Sequence, residues 1–139
     1  MEGRWVQIEQ GPVPLRCWWN NPQKESKYVV LVLPEVFGIN SWVKSVVDRL
    51  AEKGIPALAM PLFARTAPEL NLGYGEDDLT KGRWHKDQTT TQQILDDASH
   101  SLTWLKQQYS QSKTTVVGFC FGGHAAPVSY THLTLPTKA

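Results

Sequence analysis

Tyr28-Val29-Val30-Leu31-Val32-Leu33 is an unbroken run of β-branched and aliphatic residues. A strand with one face in water alternates apolar and polar residues, whereas a strand covered on both faces is apolar at every position. The run therefore belongs inside a parallel sheet with helices on either side. The next residues agree. Pro34-Glu35-Val36-Phe37-Gly38-Ile39 has the composition of a loop, and Asn40 or Ser41 is suited to cap a helix. Trp42, Val43, Val46, Val47 and Leu50 then recur at helical spacing until Lys53-Gly54 supplies a stop. Ile55–Met60 is a second apolar run, closed by Pro61. Strand, helix and strand at this spacing make a βαβ unit.

Upstream, Arg4–Glu9 alternates as a strand does, Gly11-Pro12 breaks it, and Leu15–Trp19 resumes, so the two runs read as a β-hairpin. Asn20–Lys27 is a polar loop. Downstream, Phe63–Gln88 carries Pro68, Gly73, Gly75 and Gly82 with a polar cluster over Lys81–Asp87, and reads as a long irregular excursion suited to part of a substrate rim. Thr89–Tyr109 is a helix whose Ile94, Leu95, Ala98, Leu102 and Leu105 share one face, with Asp96 and Asp97 on another. Thr114–Phe119 is the last strand. The fold class expected is α/β: a mostly parallel sheet with helices on both faces, opened by an N-terminal hairpin.

The 139 residues suffice for one buried core and not for two. With 41% hydrophobic and 19% charged residues the composition is globular, and a net charge of +1 gives no footprint for nucleic acid or a membrane surface. No apolar run is long enough to span a bilayer. The start, Met1-Glu2-Gly3-Arg4-Trp5, has no basic patch followed by an apolar stretch, so no secretory signal is read there. Cys17 and Cys120 are the only cysteines, too few and too far apart for a disulfide framework, and a reducing cytoplasm is the expected compartment. There is no metal-type Cys/His spacing and no internal repeat.

Gly118-Phe119-Cys120-Phe121-Gly122 fits the nucleophile-elbow pattern with Cys in the Ser position. A reactive side chain held on a tight strand-to-helix turn brings the residues two before and two after it close together, so both must be small. Gly118 and Gly122 meet that need, and Gly123 lets the helix sit against the sheet. Free N–H groups at the helix start favour thiolate over thiol, and the N–H of Phe121 would face a developing oxyanion. The competing readings are a Gly-rich turn around an inert buried Cys and a phosphate-cradling loop, which lacks the usual glycine spacings. Glu35 lies just past the carboxyl end of a buried strand, where open parallel sheets place ligands. A carboxylate there could orient the thiol and the N–H of Val36 could supply a second oxyanion donor; position alone favours a solvated loop acid. Arg65 and Arg83 are either aids to binding an anionic substrate or plain solvated charges.

Three stretches, Leu33–Asn40 (LPEVFGIN), Gly54–Arg65 (GIPALAMPLFAR) and Gly118–Gly123 (GFCFGG), together resemble dienelactone hydrolases in order and spacing over residues 4–126. The resemblance implies the N-terminal part of an α/β-hydrolase fold and a Cys–His–Asp triad. It implies Cys120 as nucleophile, Glu35 as the acid that interacts with the thiol, and Val36 and Phe121 as oxyanion-hole N–H donors. The implied reaction is hydrolysis of an ester or lactone, of the carboxymethylenebutenolide type, through a thioester acyl-enzyme, with no metal or organic cofactor and a small molecule as partner. A non-catalytic binding protein of the same fold is the rival, and a thiol redox protein a further one. In this fold the triad acid and His follow the nucleophile; only 19 residues follow Cys120. His85, His100, His124 and His132 do not match the triad His by motif.

Residues 127–139 do not continue an elbow helix: Pro127 disturbs it, and VSYTHLTLPT (Val128–Thr137) resembles a translated transposon-end sequencing adapter. The expected organisation is a partial hydrolase domain over 1–126 and a non-native tail over 127–139, which leaves the strand Thr114–Phe119 as an open edge and the chain prone to aggregate.

Overall fold

The computed structural model describes residues 2–119 in full and the backbone of Pro127–Tyr130. Six strands, β1 (Arg4–Ile8), β2 (Leu15–Asn20), β3 (Tyr28–Leu33), β4 (Ala57–Ala59), β5 (Lys113–Phe119) and β6 (Pro127–Tyr130), form one sheet in the order β1-β2-β4-β3-β5-β6. Three helices accompany them: α1 (Ser41–Glu52), α2 (Glu76–Asp87) and α3 (Thr91–Gln108).

The two-sided burial expected of Tyr28–Leu33 is present, and its alternation sorts the core into layers. Val29 and Leu31 pack with Ile8, Leu15, Trp19, Leu58, Ala98, Leu102, Leu105 and Val116, on the α3 face. Val30 and Val32 pack with Trp18, Ile39, Val43, Val47, Ala57 and Ala59, on the α1 face. Successive side chains of a strand point to opposite faces, so a run that is apolar throughout serves both layers. Helix α1 is capped as read: the Asn40 side chain accepts the Val43 N–H at 3.2 Å, and the chain leaves the helix through Gly54 at φ +86°. Helix α3 opens on a capping box, with the Thr90 N–H donating to Gln93 Oε1 (2.9 Å) and the Gln93 N–H to Thr90 Oγ1 (3.1 Å).

Four expectations need correction. The sheet is mixed rather than mostly parallel: β3 pairs in parallel with β4 and β5, while β1–β2, β2–β4 and β5–β6 are antiparallel. Parallel neighbours need a crossover of a dozen residues or more. Helices supply it on the way into β4 and β5, whereas the hairpin joining β1 and β2 allows only antiparallel pairing. Second, β5 is not an open edge. The backbone of β6 covers it with the register Val116↔Tyr130 to Phe119↔Pro127, inside the segment expected to lie outside the domain.

Third, the excursion contains α2. Leu79 and Trp84 are its only large apolar residues and Gly82 sits in its middle, so there is no apolar stripe to read. Its legible signal is charge order, with Glu76, Asp77 and Asp78 in the first turn and His85 and Lys86 in the last, which complements the helix dipole. Fourth, the buried stripe of α3 is turned from the expected one. Asp97 is 1% exposed and Leu95 44%.

The hairpin is tied to α1 by a single oxygen. Asp48 Oδ1 accepts the Gly3 N–H (3.1 Å), the Trp18 Nε1–H (3.0 Å) and the Asn20 Nδ2–H (2.9 Å). Asp48→Ala should therefore lower unfolding stability by about 2 kcal/mol in urea titrations, because three donors lose their acceptor. Asp48→Asn, which keeps an oxygen there, should lose less.

Candidate active site

The register between β3 and β5 carries the site. Leu33 is the Cα partner of Gly118, so two adjacent parallel strands end at the same level. The chain enters the Pro34–Asn40 loop from one and the segment beginning at Cys120 from the other. Cys120, Phe121, Gly122, Gly123, His124 and His132 lie outside the described residues. Gly118 is buried in β5, and Phe119 packs on the α1 side, its ring 6.3 Å from that of Trp42.

The loop after β3 is a held turn. The Gly38 N–H donates to Glu35 O at 3.2 Å, and Gly38 takes φ +81°. A Cβ on Gly38 would stand 2.1 Å from Leu70 O, so both conformation and space demand glycine. From the far side, the excursion clamps the loop. The Ile39 N–H donates to Leu70 O (3.1 Å), the Leu72 N–H to Phe37 O (2.9 Å), and Asn40 Nδ2 to both Leu72 O (3.2 Å) and Tyr74 Oη (3.1 Å). Val36 and Phe37 are buried together with Phe63, against Leu62, Ala67, Leu70, Leu72 and Leu79.

Glu35 is half-buried at a narrow crevice of about 10 Å³, shared with Pro61, Leu62, Phe63, Glu69 and Leu70. Desolvation holds its carboxyl above the usual glutamate value. Glu35 is thus not the freely solvated loop acid that its position alone suggested.

Arg65 is not available as a substrate anchor. Its Nη1 and Nη2 donate to Asp97 Oδ2 and Oδ1 at 2.9 and 3.2 Å, a two-pronged pair that ties the segment after β4 to α3. The pattern that could have revealed this partner is an acid at the helical spacing of Ala98, Ser101 and Leu105. Arg83 lies exposed on α2. His85 Nδ1 is 2.8 Å from Thr66 Oγ1 and its ring stacks on Phe63, and His100 lies on α3. Cys17 is fully buried, and desolvation first and the charge of Asp97 second push its thiol far above the ordinary value. A thiol held protonated in the core is a poor resolving partner for redox exchange. Among the described residues no helix is long and apolar enough to cross a membrane.

A sheet with this strand order, helices on both faces and a candidate site at the carboxyl ends of its parallel strands belongs to the α/β-hydrolase class. Solved structures of that class match it. A Klebsiella pneumoniae protein provisionally described as a dienelactone hydrolase superposes with a TM-score of 0.69 at 24% identity, over 87% of this chain and 50% of that one. In sequence, a Synechocystis protein given the provisional name carboxymethylenebutenolidase is 34% identical over 111 residues, covering 78% of this chain and 44% of the relative. The carboxymethylenebutenolidase of Pseudomonas putida is 27% identical over 108 residues, covering 76% and 46%. The chain spans about half the length of the curated relatives it matches. The profile of the Dienelactone hydrolase family matches residues 15–136, and the chain belongs to that family.

Two measurements check these environments. A raised folded-state value means that the folded protein binds the Glu35 proton more tightly than the unfolded chain. Ionisation therefore costs stability above that raised value, and the cost disappears below the unfolded value. Glu35→Gln should raise the urea midpoint at pH 7, and the gain should vanish as the pH falls below the ordinary glutamate range. Arg65→Met leaves Asp97 buried without its partner and should destabilise the chain by about 3 kcal/mol in the same assay.

Proposed function

We propose that this protein is the nucleophile-bearing part of a hydrolase that cleaves carboxylic ester or lactone bonds through a thioester on Cys120. The observation that carries this reading is the Leu33↔Gly118 register: it ends the strand before Glu35 and the strand before Cys120 side by side. Family membership and the names of the relatives support the class of bond. A butenolide is a lactone, so a compound of the carboxymethylenebutenolide type is the favoured substrate.

In the proposed reaction the Cys120 sulfur, as thiolate, attacks the acyl carbon. A C–S bond forms while the carbonyl oxygen gains the electron pair and accepts hydrogen bonds from the backbone N–H groups of Val36 and Phe121. Collapse breaks the ester C–O bond, and the alkoxide leaves as the alcohol with the proton that Glu35 took from the thiol. Water then adds to the thioester, releasing the carboxylic acid and regenerating the thiol. Glu35 holds the thiol and, because desolvation raises its proton affinity, is a ready acceptor for the proton that the thiol gives up. The family's triad Asp and His follow the nucleophile and speed the second half of the cycle. The protein works in the cytoplasm on a small molecule without a cofactor.

Acylation can be measured on the chain itself. Treatment with p-nitrophenyl acetate should release p-nitrophenolate in a burst and leave a thioester on the peptide containing Cys120, with Cys17 unmodified in the folded state. Cys120→Ala should remove both burst and adduct. An adduct that persists in that variant, or a native chain whose Cys120 resists both ester and iodoacetamide, would refute the reading and leave a non-catalytic binding protein of this fold.

A further inference from the structure

Helix α2 touches the Glu35–Val36 turn at a point where only hydrogen fits. Gly82 is the buried residue of that helix, and a Cβ on it would stand 2.4 Å from Val36 O, 3.0 Å from Val36 C and 3.0 Å from Val36 Cβ. Its nearest obstacle is backbone, which cannot swing aside as a side chain can. An ordinary van der Waals contact needs about 1 Å more.

Gly82 does not follow from helix formation. Glycine in a helix interior costs about 1 kcal/mol relative to alanine, so its presence at mid-helix marks close packing or function. Nor does the sheet register explain it, because β3 ends at Leu33, before the turn begins. Further attachments of α2 lie around the same place. Leu79 packs against the Val36–Phe37–Phe63 cluster, and His85 stacks on Phe63 while its Nδ1 meets Thr66. The helix is thus seated on the segment that carries both the carboxyl and the N–H assigned to catalysis.

We infer that Gly82 is a positioning residue: through contact with the Val36 carbonyl, α2 sets where the Glu35 carboxyl and the Val36 N–H stand relative to Cys120. Gly82 acquires this role only if Glu35 and Val36 act on Cys120 as proposed above. A methyl group at residue 82 pushes the Val36–Phe37 peptide, which is joined through the Val36 Cα to the Glu35–Val36 peptide that carries the Val36 N–H. A displacement of that size at a reacting centre can cost up to about a hundredfold in rate.

The experiment uses the whole chain and reads Cys120 by mass spectrometry of its peptide, with iodoacetamide as probe across pH and p-nitrophenyl acetate as acyl donor. In the parent, the alkylation rate against pH should carry an inflection from Glu35 that Glu35→Gln removes. Gly82→Ala should move the profile toward that of Glu35→Gln and lower the acylation rate by roughly tenfold or more, with a cooperative melt retained. Lys81→Ala, exposed on the same helix, should leave the parent profile unchanged. If Gly82→Ala melts without cooperativity, Leu79→Ala decides instead. It removes volume rather than adding it, and should move the profile the same way. A folded Gly82→Ala with the parent's profile, or a parent-like Leu79→Ala where that variant decides, overturns the role of Gly82 while leaving the proposed function standing. A parent whose Cys120 is unreactive, or whose profile is unchanged by Glu35→Gln, overturns the reading of the site itself and the role of Gly82 with it.

Discussion

The pairing of β3 with β5 is the constraint on which the rest of the molecule depends. Tyr28 to Leu33 lie against Lys113 to Gly118 in parallel, and Val29, Leu31 and Val32 are fully buried along that seam. Burying each such side chain contributes roughly 1.5–3 kcal/mol, so the seam is strongly held. Its register is equally well held. A slip of one residue would exchange the Val30–Val32 set, which faces α1, with the Val29–Leu31 set, which faces α3. The same slip would shift the start of the Glu35 loop against Gly118 by about 3.3 Å. Core packing therefore specifies the relative height of the two site-bearing loops, and stability and site geometry share one cause.

That shared cause explains what could be read from the sequence. Two-sided burial writes itself as an uninterrupted apolar run, Asn40 and Gly54 mark the ends of α1, and the alternation in Arg4–Glu9 followed by the run Leu15–Trp19 marks a hairpin. The elements that escaped are held by something other than an apolar stripe. Helix α2 is stabilised by charge order along its axis and one close approach at Gly82, and neither gives a periodic signal. In α3 the ion pair from Arg65 brings Asp97 into the protein and turns Leu95 outward, so hydrophobicity alone assigned the face wrongly. The count of parallel strands failed for a topological reason: parallel pairing depends on the connections between strands rather than on the strands themselves.

The cysteines and arginines show that residue type does not decide chemistry here. The Cys17 thiol is enclosed between the hairpin and α3 and shares that layer with the charge of Asp97; both effects oppose ionisation, so it behaves as a small apolar side chain. Arg65 has a guanidinium suited to a carboxylate and has found one within the protein. Glu35 lies between these extremes. It is covered enough to raise its proton affinity and open enough to remain at the surface of a recess.

The strands fix where the chain emerges, but they do not fix how it turns afterwards. Between Leu33 and Asn40 the backbone has only its own Glu35–Gly38 and Gly38–Asn40 hydrogen bonds to define it. The remaining restraints come from Leu70, Leu72 and Tyr74 on one side and Gly82 on another, all within the excursion. A segment that adds little to either face of the sheet therefore determines the final orientation of Glu35 and Val36. Such an arrangement lets the core tolerate change in the excursion while the site does not, because loss of a clamp shifts a carboxyl and an amide without exposing the buried strands. Sequence variation between β4 and α3 should then alter the chemistry at the turn more readily than the stability of the sheet.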